Sequence, residues 1–386
     1  MIRLLWPLSI GAFALGLDAY VLAGLLPAMA TDLHTTQAAV GLGVAVFTAA
    51  YAISAPIFAS FSAKYSMRTL LLSGLGFFIL GNVITMISPS LWVLLVARLI
   101  AGIGAGLYSP QASSCAANTV DTSKKGKALS FILAGLSMGT ALGVPVGLWI
   151  EQWLSWRWTI GLIMALSIIS AIGISRRSAS FPPLISISWH DRFVSLKTPF
   201  TTLTLLVTLW TAIASFGLYT YMAEISVSRN FGKYVPEIIW LWGLGGMIGS
   251  LLIGRVLDKY LSPLRASLVL LSTFALGIVL FAYGTLPIAM VGSFLWGLAS
   301  WASVAPQQYA LVTHAPKHAA SLIAWNSSIN YMGGAIGATI GSAALSASLP
   351  PQWLPAGFLI AMAIAVTLHV WKSLISEHHF NTIQSK

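Results

Sequence analysis

Two charged residues stand where the chain carries almost no other charge. Asp18 lies inside an apolar run over 5–29, and Arg98 lies inside another over 91–115. At a helical rise of about 1.5 Å per residue, Asp18 is roughly 20 Å from the start of its run and Arg98 roughly 10 Å from the start of its own. If the two runs cross a bilayer in opposite directions, these depths coincide in an apolar core about 30 Å thick. A carboxylate placed there is suited to carrying a proton. Desolvation favours its protonated form, and a nearby guanidinium favours the ionised one. A rearrangement that changes the Asp18–Arg98 distance would then load or release a proton. A static ion pair that fixes helix packing is the competing reading of the same residues. The equivalent positions in the second half, near Ile213 and Ser293, are uncharged, so carboxylate-based coupling is expected in the first half alone.

Uncharged polar residues form a second set. Asn326 and Asn330 are four apart and share one helix face. Buried amides are costly unless bonded, so they either face a cavity or hydrogen-bond between helices. Tyr108, Gln111, Tyr219 and Tyr221 are further candidates for lining a substrate cavity, with packing or interfacial anchoring as the alternative. Since no second carboxylate is buried in a span, a neutral or weakly polar substrate is expected rather than a strongly cationic one.

Other chemistries find no support. The sequence holds no Gly-x-Ser-x-Gly, no P-loop and no paired catalytic carboxylates. An integral-membrane enzyme would need a His–Asp or Ser–His set at one face, and Asp32 with His34 is the nearest approach. His314 and His318 are four apart, but Pro316 lies between them and no acidic or Cys partner is near; His378 and His379 lack further ligands. Neither a metal nor a cofactor is expected, and without a nucleotide site any transport must run on a gradient.

The elements that position these residues follow from composition. Of 386 residues, 57% are hydrophobic and 8% charged, whereas soluble domains carry roughly 25% charge. Apolar segments long enough to span occur over 5–29, 38–62, 69–88, 91–115, 127–150, 158–175, 200–223, 236–257, 266–284, 286–312, 319–347 and 353–374. Backbone polar groups must be satisfied within lipid, so each segment is expected to be a helix, giving an all-α membrane protein of twelve spans. The first segment begins after Arg3 and ends Ala28-Met29-Ala30, like a cleavable leader. It is longer than a leader's apolar core, and is read as an uncleaved span. The net charge of +11 comes from short clusters between spans rather than a continuous patch, so nucleic acid is not an expected partner; the lipid bilayer is. With the N-terminus inside, sixteen Lys and Arg fall on the inner side and three (Arg157, Arg229, Lys233) outside. Both termini are thus expected in the cytoplasm. Cys115 is the single cysteine, so no intrachain disulfide can form.

The chain reads as two halves: a six-helix bundle over 1–175, a basic cytoplasmic linker over 176–199 containing Pro182-Pro183, and a second bundle with a short tail over 200–386. Lys64-Tyr65 after span 2 is echoed by Lys259-Tyr260 after span 8. Gly135, Gly139, Gly143 and Gly147 in span 5 are echoed by Gly333, Gly337 and Gly341 in span 11, at an offset of 194. Such repeats mark transporters whose substrate site lies at the repeat interface. Glycines four apart allow close helix approach, and Pro145 is expected to kink span 5.

Several of these stretches resemble the major facilitator superfamily, most of all the twelve-span drug:proton antiporter branch near the sugar and arabinose efflux permeases. Leu17-Asp18-Ala19-Tyr20-Val21 with Gly24-Leu25-Leu26-Pro27 is similar to the branch's first-span motif. Ala97-Arg98-Leu99 with Gly102, Gly104 and Gly106 resembles its span 4 arginine motif. Gly139-Thr140-Ala141-Leu142-Gly143-Val144-Pro145-Val146-Gly147 resembles its span 5 antiporter motif. Trp156-Arg157-Trp158, Asn326 and Asn330 also match. The loop after span 2 departs from the pattern, with Ala59 and Ala63 where Gly and Asp are usual. The counterpart Gly254-x-x-x-Asp258-Lys259 is intact, so gating by the second loop is expected to dominate. The resemblance implies proton-coupled efflux of a sugar, nucleoside or drug-like compound by a monomer in a bacterial inner membrane. A symporter or facilitator importing a nutrient is the main alternative, and an integral-membrane enzyme a remote one.

Overall fold

The structure, a computed structural model, describes residues 2–61, 65–119, 125–176, 198–315 and 319–384. Most of the expected linker over 176–199, together with Ala63, Lys64 and His318, lies outside them, and so does the side chain of Asp258. The first half contains α1 (Ile2–Asp32), α2 (Gln37–Phe61), α3 (Met67–Met86), α4 (Leu91–Asn118), α5 (Lys125–Met138), α6 (Val144–Trp153) and α7 (Trp156–Ser175). The second contains α8 (Pro199–Thr220), α9 (Met222–Ser228), α10 (Val235–Lys259), α11 (Pro263–Tyr283), α12 (Leu286–Ala302), α13 (Val304–His314), α14 (Ala319–Ser346) and α15 (Leu354–Gln384). Among the described residues, ten helical stretches are long and apolar enough to cross a membrane. The remaining two crossings are the interrupted α5–α6 and the polar α14, which carries Asn326 and Asn330. The result is an all-α membrane protein of twelve crossings in two six-helix halves.

Prolines explain the interruptions. A π-helical turn over Gly139–Gly143 separates α5 from α6, and Pro145 follows at the start of α6. Pro145 lacks an N–H, and its ring crowds the carbonyl four residues back, at Ala141; widening that turn relieves the clash. The same geometry sets Pro306 against Ala302, where α12 gives way to α13 at Ser303. Starts are signalled by hydroxyl caps. Ser66 accepts from the Thr69 N–H and Ser262 from the Arg265 N–H. These caps open α3 and α11 at the same point of each half, 196 positions apart.

The glycine ladder of span 5 lies against α1. A Cβ at Gly135 would meet the Ser9 carbonyl oxygen at 2.5 Å, and one at Gly139 the Phe13 oxygen at 2.1 Å. Gly143 faces the Leu17 side chain and Gly147 that of Val21. Residues 9, 13, 17 and 21 thus meet 135, 139, 143 and 147 at a constant offset of 126, as expected for two parallel helices in contact along a four-residue row. In the second half, a Cβ at Gly333 would meet the Leu209 oxygen and one at Gly337 the Ile213 oxygen, so α14 lies equally close to α8. Between the halves, α2 packs along α14, and the π turn and α6 pack on α10.

Candidate functional site

The helices α1, α2 and α4 bring the first half's buried charges together. Arg98 Nη1 donates to both oxygens of Asp18, at 2.9 and 3.0 Å. Both side chains are fully enclosed, at 1% and 0% exposure. The Phe47 ring lies 4.3 Å from the guanidinium carbon, and Arg98 Nε has no hydrogen-bond partner. The fork is therefore engaged through one nitrogen, and the carboxylate depends on that nitrogen for its charge balance. Leu17, adjacent to Asp18, touches the span 5 ladder at Gly143. A displacement of α5 along α1 thus reaches the ion pair through one residue.

Two residues beyond Asp18 along α1, Tyr20 enters a cluster of rings from both halves. The Tyr20 ring centre is 5.7 Å from Phe216, 5.4 Å from Tyr219, 5.3 Å from Trp242 and 5.4 Å from Trp301. Tyr219 Oη donates to the Tyr20 carbonyl at 2.8 Å. Beside them Tyr51 of α2 stacks on Tyr331 of α14 at 3.7 Å. Trp242 is backed by Trp296 at 5.9 Å, whose indole N–H donates to Ser215 Oγ at 3.3 Å. Nearer the face opposite the termini, Ser342 Oγ donates to the Ala38 carbonyl at 2.8 Å, a second bond between the halves.

The expected cavity residues do not gather in one place. Tyr219 is part of the ring cluster. Tyr221 donates to the Ala338 carbonyl at 2.8 Å and lies against Gly341 and Gly41, between α2 and α14. Tyr108 donates to the Leu8 carbonyl at 3.0 Å within the first bundle, and Gln111 is buried one turn further along α4. Asn326 is fully enclosed. Its Nδ2 donates to Thr208 Oγ1 at 2.6 Å, and that hydroxyl donates to Gln307 Oε1, so the amide joins α14, α8 and α13. Asn330 is half-buried. Asp258 and Lys259 close α10, with Lys259 exposed. Asp32, considered beside His34, instead accepts from Trp156 Nε1 at 3.1 Å and from Arg157, which also donates to the Ser88 carbonyl at 2.9 Å.

Sequence reasoning missed Tyr20, Tyr51, Phe216, Trp242, Trp301, Tyr331 and Gln307. With fifteen Trp and eleven Tyr in the chain, aromatic residues read as interfacial anchors, and nothing in their spacing tells which ones point inward. Depth was the available signal: Tyr20 follows Asp18 by two residues.

A family model described as Major Facilitator Superfamily matches residues 8–338 and 204–379. The chain is 27% identical over 368 residues to the inner membrane transport protein YdhP of Escherichia coli, covering 94% of this chain and 93% of that protein. It is 28% identical over 266 residues to a chloramphenicol resistance protein of Streptomyces lividans, covering 66% and 67%. Its fold matches the crystal structure of a bacterial homologue of the human lysosomal transporter Spinster, with a TM-score of 0.74 at 15% identity, covering 96% of each chain.

Proposed function

Because this chain belongs to the major facilitator superfamily, we propose that it is a secondary active transporter that expels a small uncharged molecule in exchange for protons. The observation that carries this reading is the enclosed Asp18–Arg98 pair. Family membership and the twelve-crossing fold support transport across a membrane. The resistance function named for the Streptomyces lividans relative favours export, and a sugar, nucleoside or drug-like compound is the expected cargo.

The geometry suggests how coupling works. With Asp18 ionised, Arg98 Nη1 binds both of its oxygens and ties α1 to α4. A proton on Asp18 removes the charge that holds the guanidinium, and the tie weakens. The α1–α5 ladder gives the freed helix a close-packed track. Substrate arriving between the halves restores the tie and ejects the proton. The two bundles, over 1–175 and 200–386, rock about this site, with Asp258 and Lys259 gating the cytoplasmic side. The charge bias of sixteen to three supports cytoplasmic termini, and the naming of the Escherichia coli relative favours an inner membrane. We take the working unit to be a monomer.

The test is proton release from purified protein in detergent, in weakly buffered solution, on addition of chloramphenicol, sugars and nucleosides in turn. Wild type is expected to release protons with at least one of these, and Asp18→Asn with none. Equal release from both proteins would remove Asp18 from the mechanism. Ligand binding without release from either would point to an uncoupled facilitator.

A further inference from the structure

The rings between the halves are not shared evenly. Phe216 and Tyr219 come from α8, Trp242 from α10 and Trp301 from α12, all in the second half. They form four walls around one ring from the first half, that of Tyr20. Its interplanar angles to them are 25°, 79°, 41° and 37°. Such a mixture is a box rather than a stack. All four centroid distances fall in the 4.5–7 Å range that favours aromatic pairs. The box is braced from behind, since Trp242 leans on Trp296, which Phe274 and Phe281 support in turn.

Two features describe what such a box accepts. No charged side chain belongs to it, and the nearby ion pair is internally balanced. Trp242, one of the four wall residues, has its indole Nε1 buried without a hydrogen-bond partner, the Tyr20 hydroxyl included. A buried donor of this kind is satisfied by a ligand oxygen and left unsatisfied by an ammonium group. We infer that the four-ring box is a binding subsite for an uncharged aromatic ring bearing a hydroxyl or other acceptor, and that Tyr20 is the first half's own ring occupying it in this conformation. The inference rests on the transport reading in one respect: it takes the space between the halves as the substrate's place. Substrate and Tyr20 then compete for one box. Because Tyr20 lies two residues from Asp18, exchange of the ring in the box is felt at the segment of α1 that carries the carboxylate.

The test uses full-length purified protein in detergent and titration calorimetry with three probes. These are p-cresol, which is the tyrosine side chain itself, 4-methylcyclohexanol, which has its size without its π system, and benzylammonium. Tyr20→Ala empties the box and is expected to bind p-cresol at least tenfold more tightly than wild type does. It should also prefer p-cresol at least tenfold over each of the other probes. Tyr20→Phe keeps a ring in place and should behave as wild type. Tyr20→Leu serves if Tyr20→Ala does not fold, with a smaller gain in the same order of probes. Equal binding of p-cresol and 4-methylcyclohexanol would reduce the cluster to apolar packing. Benzylammonium binding as tightly as p-cresol would overturn the uncharged class, and an equal gain in Tyr20→Phe would overturn the role of Tyr20. The measurement needs neither transport nor proton release. A box that discriminates beside absent proton release would retain the subsite and reject proton coupling; the converse result would reject the subsite alone.

Discussion

Asp18 and Arg98 sit where neither can tolerate losing the other. Removing one member of a buried pair leaves a charge without compensation and costs about 3–5 kcal/mol, whereas replacing both is often nearly neutral. Arg98→Met should therefore lower the unfolding midpoint in detergent strongly, and adding Asp18→Asn should restore most of the loss. Additive losses in the double variant would show that the two residues do not act as a pair. Glu224, in α9 outside the spans, offers a pH test. Burial pushes its carboxyl above the usual glutamate value. A folded state with a raised pKa holds the proton more firmly than the unfolded one, so its stabilising contribution is full at low pH and is lost as pH rises through the folded value. Glu224→Gln should accordingly stabilise the protein at pH 8, with the gap over wild type closing toward pH 4. A gap independent of pH would assign the effect to packing. At this scale the sequence disclosed the ion pair, because Asp18 and Arg98 are isolated charges in apolar runs. It left the partner of Asn326 open, because Thr208 and Gln307 are unremarkable residues in distant segments.

Helices were legible because lipid leaves the backbone no alternative, and the starts of α3 and α11 follow from the Ser66 and Ser262 caps. Their interruptions were less so. Pro145 announced a disturbance in span 5, but whether a proline yields a kink or a π turn depends on how tightly the neighbouring helix holds the chain, and here α1 approaches closely at Gly139. The glycine step was visible in the sequence, while its partner helix was not, since the matching row of Ser9, Phe13, Leu17 and Val21 has no common chemistry. The ladder makes a controlled prediction. Gly139→Ala forces a Cβ against the Phe13 carbonyl and should cost about 1–3 kcal/mol, read as a lowered unfolding midpoint. Gly254→Ala should be close to neutral, because a Cβ there meets nothing within 4 Å. Equal effects would mean that α1 and α5 yield easily.

For the whole molecule, hydrogen bonds join the two halves at Tyr219–Tyr20 and, farther from the termini, at Ser342–Ala38. Paired cysteines at 38 and 342, in a Cys115→Ser background, should crosslink on oxidation and stop transport in vesicles, with reductant restoring it. Unimpaired transport after crosslinking would mean that this contact persists through the cycle. The duplicated plan was readable from matching offsets, but the asymmetry in use was not. The buried ion pair belongs to the first half and four of the five rings to the second, and only the assembled interface shows the Tyr20 ring of the first half set among them. The constant offset between α1 and α5 carries a further consequence. Each glycine is flush against α1, and the residues between glycines are not, so the row behaves as a detent. Partial slippage drives a side chain onto a carbonyl, whereas a shift of four residues, about 6 Å, seats the next glycine in the vacated notch. The spacing of the row therefore favours steps of one helical turn over smaller displacements of α1 along α5.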